Sequence, residues 1–438
     1  MGRTRARGAN ARMGLKFEKA YGFPEASGYR RMSFSSTSLG EEQPLEDGDL
    51  RGNGREPDEP EVGPSDDQGD AVVPICARQF GIWLTMMFGA PTSAAGKPAK
   101  GSIVFSAQPA NNATISVGGQ TFTFVSGSPT ANQIKIGSTI AATVEVAVRQ
   151  LNASAVPGVA AATYRQNPRG NGILIEADAL GIAGNSFAIE ASSTPASNAT
   201  LSGATLTGGA ATGGYRHTFE SGAAVLPSAG IEIQHPEVPS FHMNYGVALN
   251  TIAIQMQRSG RLTATLGLIA QGEDPAAEVS AVGALDDGLD VIRFSQFSGS
   301  VLRYGVPVAD LVSGQLNLSN GLDPVPGMRG DGRITGIDAG DPEWTGQLGV
   351  RYSGPELQQQ AENGEACDLE FSWWRPGTDF ILRIILHRVR MPKAKRPITN
   401  GGGVQADYGF RAALDRSLGK SLTVILDNDV AGAVYALA

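Results

Sequence analysis

Arg51-Gly52-Asn53-Gly54-Arg55 returns later in the chain as Arg329-Gly330-Asp331-Gly332-Arg333. Five residues this rich in glycine prove little alone, but their surroundings match. A β-like run precedes each copy (31–38; 311–319), and a long Gly/Pro/Asp-rich loop holds it. A second strand-like run follows (70–76; 346–352), then a short helical stretch (78–87; 355–363). Each half then reaches an aromatic-glycine pair, Tyr245-Gly246 and Tyr408-Gly409. Each pair leads into two strand-like runs around a tight turn, Ser259-Gly260 and Leu418-Gly419. Repetition fixes an architecture before any single motif does. Here it predicts two copies of one β-rich unit, each with a short helix.

The spacing exposes a third part. From the glycine-rich string to the aromatic-glycine pair is about 194 residues in the first copy and about 79 in the second. The excess, about 115 residues, has its own Ser/Thr/Gly-rich composition. Within it 101–107, 113–117 and 121–125 alternate as strands, with Gly118-Gly119 as a hairpin turn. Ser138 is the expected cap of a helix over 139–154, whose Ile140, Val144, Val148 and Leu151 share a face. The expected division is a discontinuous first unit (1–96 and 213–285), an inserted α+β domain (97–212) and a second unit (286–438). Residues 90–98 read as a linker by composition.

The bulk properties exclude several classes. Apolar residues make up 41% of the 438, enough for packed cores. A net charge of −8 argues against a nucleic-acid grip, which neutralises phosphates with basic surface. Cys76 and Cys367 make neither a disulfide framework nor a zinc site, and read as buried hydrophobes of a reducing compartment. No apolar run has the length to cross a bilayer. The basic start (Arg3, Arg5, Arg7, Arg12) has no apolar stretch after it, unlike a secretory signal.

No constellation carries chemistry. His217, His235, His242 and His387 lack metal-pair spacing, and satisfied strand histidines are the expected outcome. There is no G-x-S-x-G elbow and no Walker A string, and no helix follows Gly401-Gly402-Gly403. The 331–341 stretch echoes a calcium loop but lacks its closing glutamate. The expectation is therefore no catalysis, no cofactor and no metal. Two charge clusters remain, the acidic loop 39–69 and the basic set Arg383, Arg388, Arg390, Lys393, Lys395 and Arg396. They read either as solvated faces or as complementary patches that register neighbouring subunits.

The order of several diffuse stretches resembles tail tube proteins of long-tailed bacteriophages. They are Tyr21-Gly22 with the loop holding Arg51 to Arg55, Gly69-Asp70 leading into Phe80-Gly81-Ile82-Trp83-Leu84, Tyr245-Gly246-Val247-Ala248-Leu249-Asn250, and the closing Asp427-Asn428-Asp429. Within the insert, Thr121-Phe122-Thr123-Phe124-Val125 and Gly181-Ile182-Ala183-Gly184-Asn185-Ser186 resemble a small module that recurs in phage tail proteins.

The resemblance implies tandem tail-tube-type β-sandwich or barrel units. Rings of subunits would stack into a tube through which DNA passes without specific binding. It implies a structural virion protein, made in the host bacterial cytoplasm, with other tail proteins as partners and no membrane. Arg51, Gly52, Asn53, Gly54 and Arg55, and Arg329, Gly330, Asp331, Gly332 and Arg333, would lie in inter-subunit or inter-ring loops. A fused pair of units predicts a trimeric, pseudo-six-fold ring, with a hexamer of chains as the alternative. The rival function is a surface or secreted β-rich adhesin with a carbohydrate-binding insert. A β-sandwich glycosidase would need two positioned carboxylates, and Asp338 and Glu343 sit in a glycine-rich loop with nothing to fix them.

Overall fold

Residues alternating apolar and polar with period two make strands with one packed and one wet face, and such runs dominate the chain. The computed structural model describes residues 5–49, 55, 58–398 and 401–437, and it is mainly β. In chain order the strands that position the functional surfaces are β1 (Arg12–Phe17), β2 (Gly40–Glu42), β3 (Asp66–Pro74), β4 (Thr92–Phe105), β5 (Ala162–Gln166), β6 (Gly172–Leu180), β7 (Ala210–Glu220), β8 (Ala229–His235) and β9 (Ser240–Met256). They continue with β10 (Thr263–Ile269), β11 (Gly299–Arg303), β12 (Leu311–Ser319), β13 (Glu343–Arg351), β14 (Cys367–Trp374), β15 (Ile381–Arg390), β16 (Gln405–Ala412) and β17 (Leu422–Asn428). Helices are α1 (Phe80–Phe88), α2 (Ile140–Asn152) and α3 (Glu356–Asn363).

A first sheet runs β3–β10–β9–β12–β13–β16, antiparallel throughout. Its middle seam joins the two halves of the chain, with Thr251 of β9 opposite Ser319 of β12 and Met256 opposite Gly314. A second sheet runs β11–β14–β15–β17–β7–β4. The end of β15 turns a corner onto the first sheet, where Val389 and Arg390 pair with Ala412 and Arg411. The first half adds a third sheet, in which β1 and the start of β9 flank β8.

Inward side chains from all three sheets meet in one core with Trp83, Trp344, Trp373, Phe371 and Phe410. Helix α1 is apolar on every side and all its residues are buried, as such a helix requires. Each large side chain it buries contributes about 1.5–3 kcal/mol. Gly81 lets the Tyr435 ring lie against α1, since a Cβ there would sit 2.5 Å from Cζ. Helix α3 is polar and buries only Gln358 and Gln360.

Several local expectations change. Strand β9 continues unbroken through the Tyr245-Gly246 pair, and Gly246 at φ +62° lets it pass from the third sheet to the first. The 90–98 stretch is no linker but the start of β4, a strand shared by both bodies. Its residues 92–97 pair with β7, and its later residues pair with β6 inside the insert. Composition misled because Ala, Ser and Gly suit any close-packed ribbon. The second unit's boundary region, residues 291–295, makes isolated bridges, Cys76 to Arg293 and Arg261 to Ser295. Thr139, one residue beyond Ser138, caps α2 by accepting from the Ala142 amide. The repeat is also uneven. β9 and β10 form a true hairpin, whereas β16 and β17 part into different sheets, joined only by an Asp415–Lys420 bridge in their turn.

The insert has its own apolar cluster, including Phe105, Phe122, Phe124, Val148, Leu151 and Tyr164. Strands β5, β6 and the end of β4 lie beside a smaller four-stranded sheet, and α2 supplies Val144 and Leu151 to the core between them.

Candidate assembly surface

The outward face of the first sheet is polar and, along its middle, uncharged. β10 sends Ala264, Leu266 and Leu268 into the core and turns Thr263, Thr265 and Gly267 out. β12 buries Leu316 and Leu318 and turns out Ser313, Gln315, Asn317 and Ser319. Register aligns these groups across strands. Gln255, Gln315 and Gln347 make one row, and Ala253, Asn317 and Thr345 the next. No charged side chain points outward from β10, β12 or the Thr251–Gln255 part of β9. Charges appear only on the flanking strands, as with Asp70 on β3 and Glu343, Arg351, Asp407 and Arg411 on β13 and β16. Because the side-chain period is two, a one-residue slip would bury the amides and expose the leucines. The apolar alternation therefore fixes this face.

The sheet does not close on itself. Among the described residues no strand pairs with the far side of β16 from Gln405 to Phe410. At the opposite end β3 meets only Ser36–Thr37 and β2. An unpaired edge of this length is a template for another chain. Ala406, Tyr408 and Phe410 keep β16 anchored to the core while its backbone faces outward along the sheet.

Of the residues singled out by the repeat, Arg51, Gly52, Asn53 and Gly54 lie outside the described residues, and Arg55 is an exposed turn residue. The second string lies in the loop between β12 and β13, with Gly330 and Gly332 at φ +81° and +72°. Met328, beside Arg329, is fully exposed. Arg329 pairs locally with Asp331 at 3.1 Å. Arg333 instead reaches the first half of the same chain. Its Nε donates to Glu41 Oε2 at 2.9 Å and its Nη1 to the Tyr245 hydroxyl at 2.5 Å. Its Nη2 donates to the Glu273 carbonyl, and the guanidinium lies 5.6 Å from the Tyr245 ring centroid. Gly272 leaves room for it, since a Cβ would come within 2.5 Å of Arg333 Cδ. The Ser65 amide donates to the Gly332 carbonyl at 3.0 Å. Burial works against ionisation of Glu41, but the Glu273 amide and Arg333 outweigh it and hold the carboxyl below its usual range.

On the far side of the core, the outward face of the second sheet is charged and covered by the insert. Glu176 of β6 accepts from Arg383 Nη1 and Nη2 of β15 at 2.8 and 2.7 Å, and from Arg216 Nη2 of β7 at 2.7 Å. Arg216 also forks onto Asp427 of β17 at 2.8 and 2.7 Å. Arg165 of β5 donates to Glu370 of β14, with Nη2 to Oε2 at 2.8 Å. Arg383 is therefore no surface member of the basic set. Lys393 pairs with Glu362, and Arg396 lies over Tyr352. Burial disfavours the Glu176 carboxylate, but Arg383 and Arg216 hold its pKa well below the usual value. Sequence reasoning missed this junction because its partners lie in separate segments with no local pattern to link them.

The histidines serve structure. His217 is fully buried, its Nε2 donating to Asn428 and the Val430 carbonyl while Nδ1 meets the Ser93 hydroxyl at 2.8 Å. His242 bonds Glu273 at 2.8 Å. No cluster of three metal-ligating side chains occurs among the described residues. Among families of known proteins, the model described as phage tail tube protein matches residues 8–412. No curated protein matches the chain.

Proposed function

The chain belongs to the phage tail tube protein family, and on that premise we propose how its surfaces build the tube. As a member it is a structural, non-enzymatic protein of the virion that assembles with copies of itself and with other tail proteins. In our reading it carries two tandem tube units, residues 1–96 with 213–285 and residues 286–438, and the first sheet forms the tube wall. The β16 edge of one chain meets the segment 36–42 beside β3 in the next. Three chains close a ring of pseudo-six-fold symmetry.

The observation that carries this reading is the β9–β12 seam. Inside one chain it joins the two halves edge to edge, the join that the outer edges offer to a neighbour. Closing the ring pairs edges that otherwise stay open. The polar face of the first sheet then lines the bore. Uncharged amides and hydroxyls give DNA neither a cationic grip nor a strongly repelling wall. The insert, residues 97–212, covers the opposite face of the core and stands outside as a decoration. The exposed tip around Met328 and Arg329 reaches the adjacent subunit or ring, with Arg333 as its anchor, and the 39–69 loop is the second arm.

Electron microscopy of tubes from purified protein, with rotational analysis of end views, tests this. Three outer lobes per ring are expected. Six lobes would replace the trimer with a hexamer of chains, and lobes inside the bore would overturn the assignment of faces.

A further inference from the structure

The Arg333 contact rests on a carboxyl group with no partner. Asp67 of β3 is 4% exposed, and neither of its oxygens has a hydrogen-bond partner. It stands directly opposite Glu41 in the β2–β3 ladder, where like charges destabilise the pair. Glu41 is committed as an anion to Arg333 and to the Glu273 amide at 2.9 and 2.8 Å. The groups facing Asp67 are Glu41, Glu273 and neighbouring Asp66, against one cation, Arg333. His242 lies beyond, on Glu273.

We propose that Asp67 is the protonated floor of a clasp that closes the 320–342 loop over residues 38–48, and that losing this proton opens the clasp and frees both segments. Ionised Asp67 sets a third carboxylate against one guanidinium in a buried site. Water relieves that arrangement only if β2 parts from β3, and β2 is held by three opposed pairs, Gly40, Glu41 and Glu42 with Gln68, Asp67 and Asp66. When β2 leaves, Arg333 loses Glu41 and the loop loses its anchor. Burial first, then Glu273 and Glu41, push the Asp67 carboxyl up to about 7. The sign follows from a raised pKa in the closed form. The clasp is fully held below the ordinary carboxylate range, and its closing equilibrium falls about tenfold per pH unit from there up to about 7, levelling off above, where both forms are ionised. The clasp lies within the free chain, so its test does not depend on how rings form.

Hydrogen exchange of the full chain between about pH 4 and 9, corrected for intrinsic exchange rates, reads it directly. In the unsubstituted protein, protection of segments spanning 38–48 and 320–338 should fall about tenfold per unit between about pH 4 and 7 and level off above, with the α1 core unchanged. Asp67→Asn, and Asp67→Ser as a second neutral variant, should keep the low-pH protection throughout. Arg333→Gln should expose both segments at every pH. A flat profile below pH 7 in the unsubstituted chain, or the same slope in either neutral Asp67 variant, overturns the proposal.

Discussion

Replacing Glu176 by glutamine should be among the costliest polar substitutions in the chain. Its carboxylate takes three short hydrogen bonds from two guanidinium groups and is about 10% exposed. After the change Arg216 keeps its fork onto Asp427. Arg383, 7% exposed, keeps only a 3.7 Å approach to Glu370, too long for a hydrogen bond. One buried cation is therefore stranded rather than two. Removing one partner of a buried ion pair costs about 3–5 kcal/mol. The retained glutamine oxygen still accepts from one arginine, so about 3 kcal/mol is expected. The neighbours set a scale. Asp427→Asn leaves Arg216 bound to Glu176 and should cost about 1.5 kcal/mol, one charged hydrogen bond. Lys100, 3.9 Å from Glu176 and 40% exposed, should cost less than about 1 kcal/mol when changed to glutamine. Urea denaturation followed by circular dichroism measures all three. Adding Arg383→Met to Glu176→Gln should recover at least half of the loss, because an apolar replacement removes the stranded charge. A Glu176→Gln loss equal to that of Lys100→Gln, or no recovery in the double variant, would refute the account of the junction.

Three further outcomes are expected. Gln255, Gln315 and Gln347 changed together to lysine should leave the fold intact but make assembled tubes retain duplex DNA, with retention falling as salt rises; filter binding across a salt series checks it, and salt-independent retention would contradict the lumen assignment. Gly81→Ala should destabilise by about 1–3 kcal/mol through overpacking against Tyr435, read as a lowered unfolding midpoint. Burial lowers the His217 pKa, so its contribution is present above the unfolded value of about 6.5 and is lost as pH falls through the folded one. His217→Gln should flatten that acid limb of the stability curve.

The sequence carried the β-rich class and the family, because these rest on period and order. It did not carry the β9–β12 seam, since strand pairing between distant segments leaves no local mark. The polar outward face of the first sheet was half visible. Leu311–Ser319 alternates leucine with serine, glutamine and asparagine, but only the register shows that Gln255, Gln315 and Gln347 stand side by side. Arg333 drew notice for its place in a repeated string, yet its partner Glu41 is 292 residues away. Asp67 gave no signal, because its distinction lies in what fails to surround it. The linker reading of 90–98 failed because small residues serve a paired ribbon as well as a flexible tether.

That ribbon has a consequence for inheritance. Lys97 and Ala210 stand opposite each other where β4 and β7 leave the second sheet. A tight turn across those two positions would heal the chain after excision of everything between them. In the proposed tube the outer segment would thus join the chain through one two-stranded port, so that a single recombination event could exchange it, at the cost of the Glu176 and Arg165 contacts with the second sheet. The β9–β12 seam and its register lie outside that exchange.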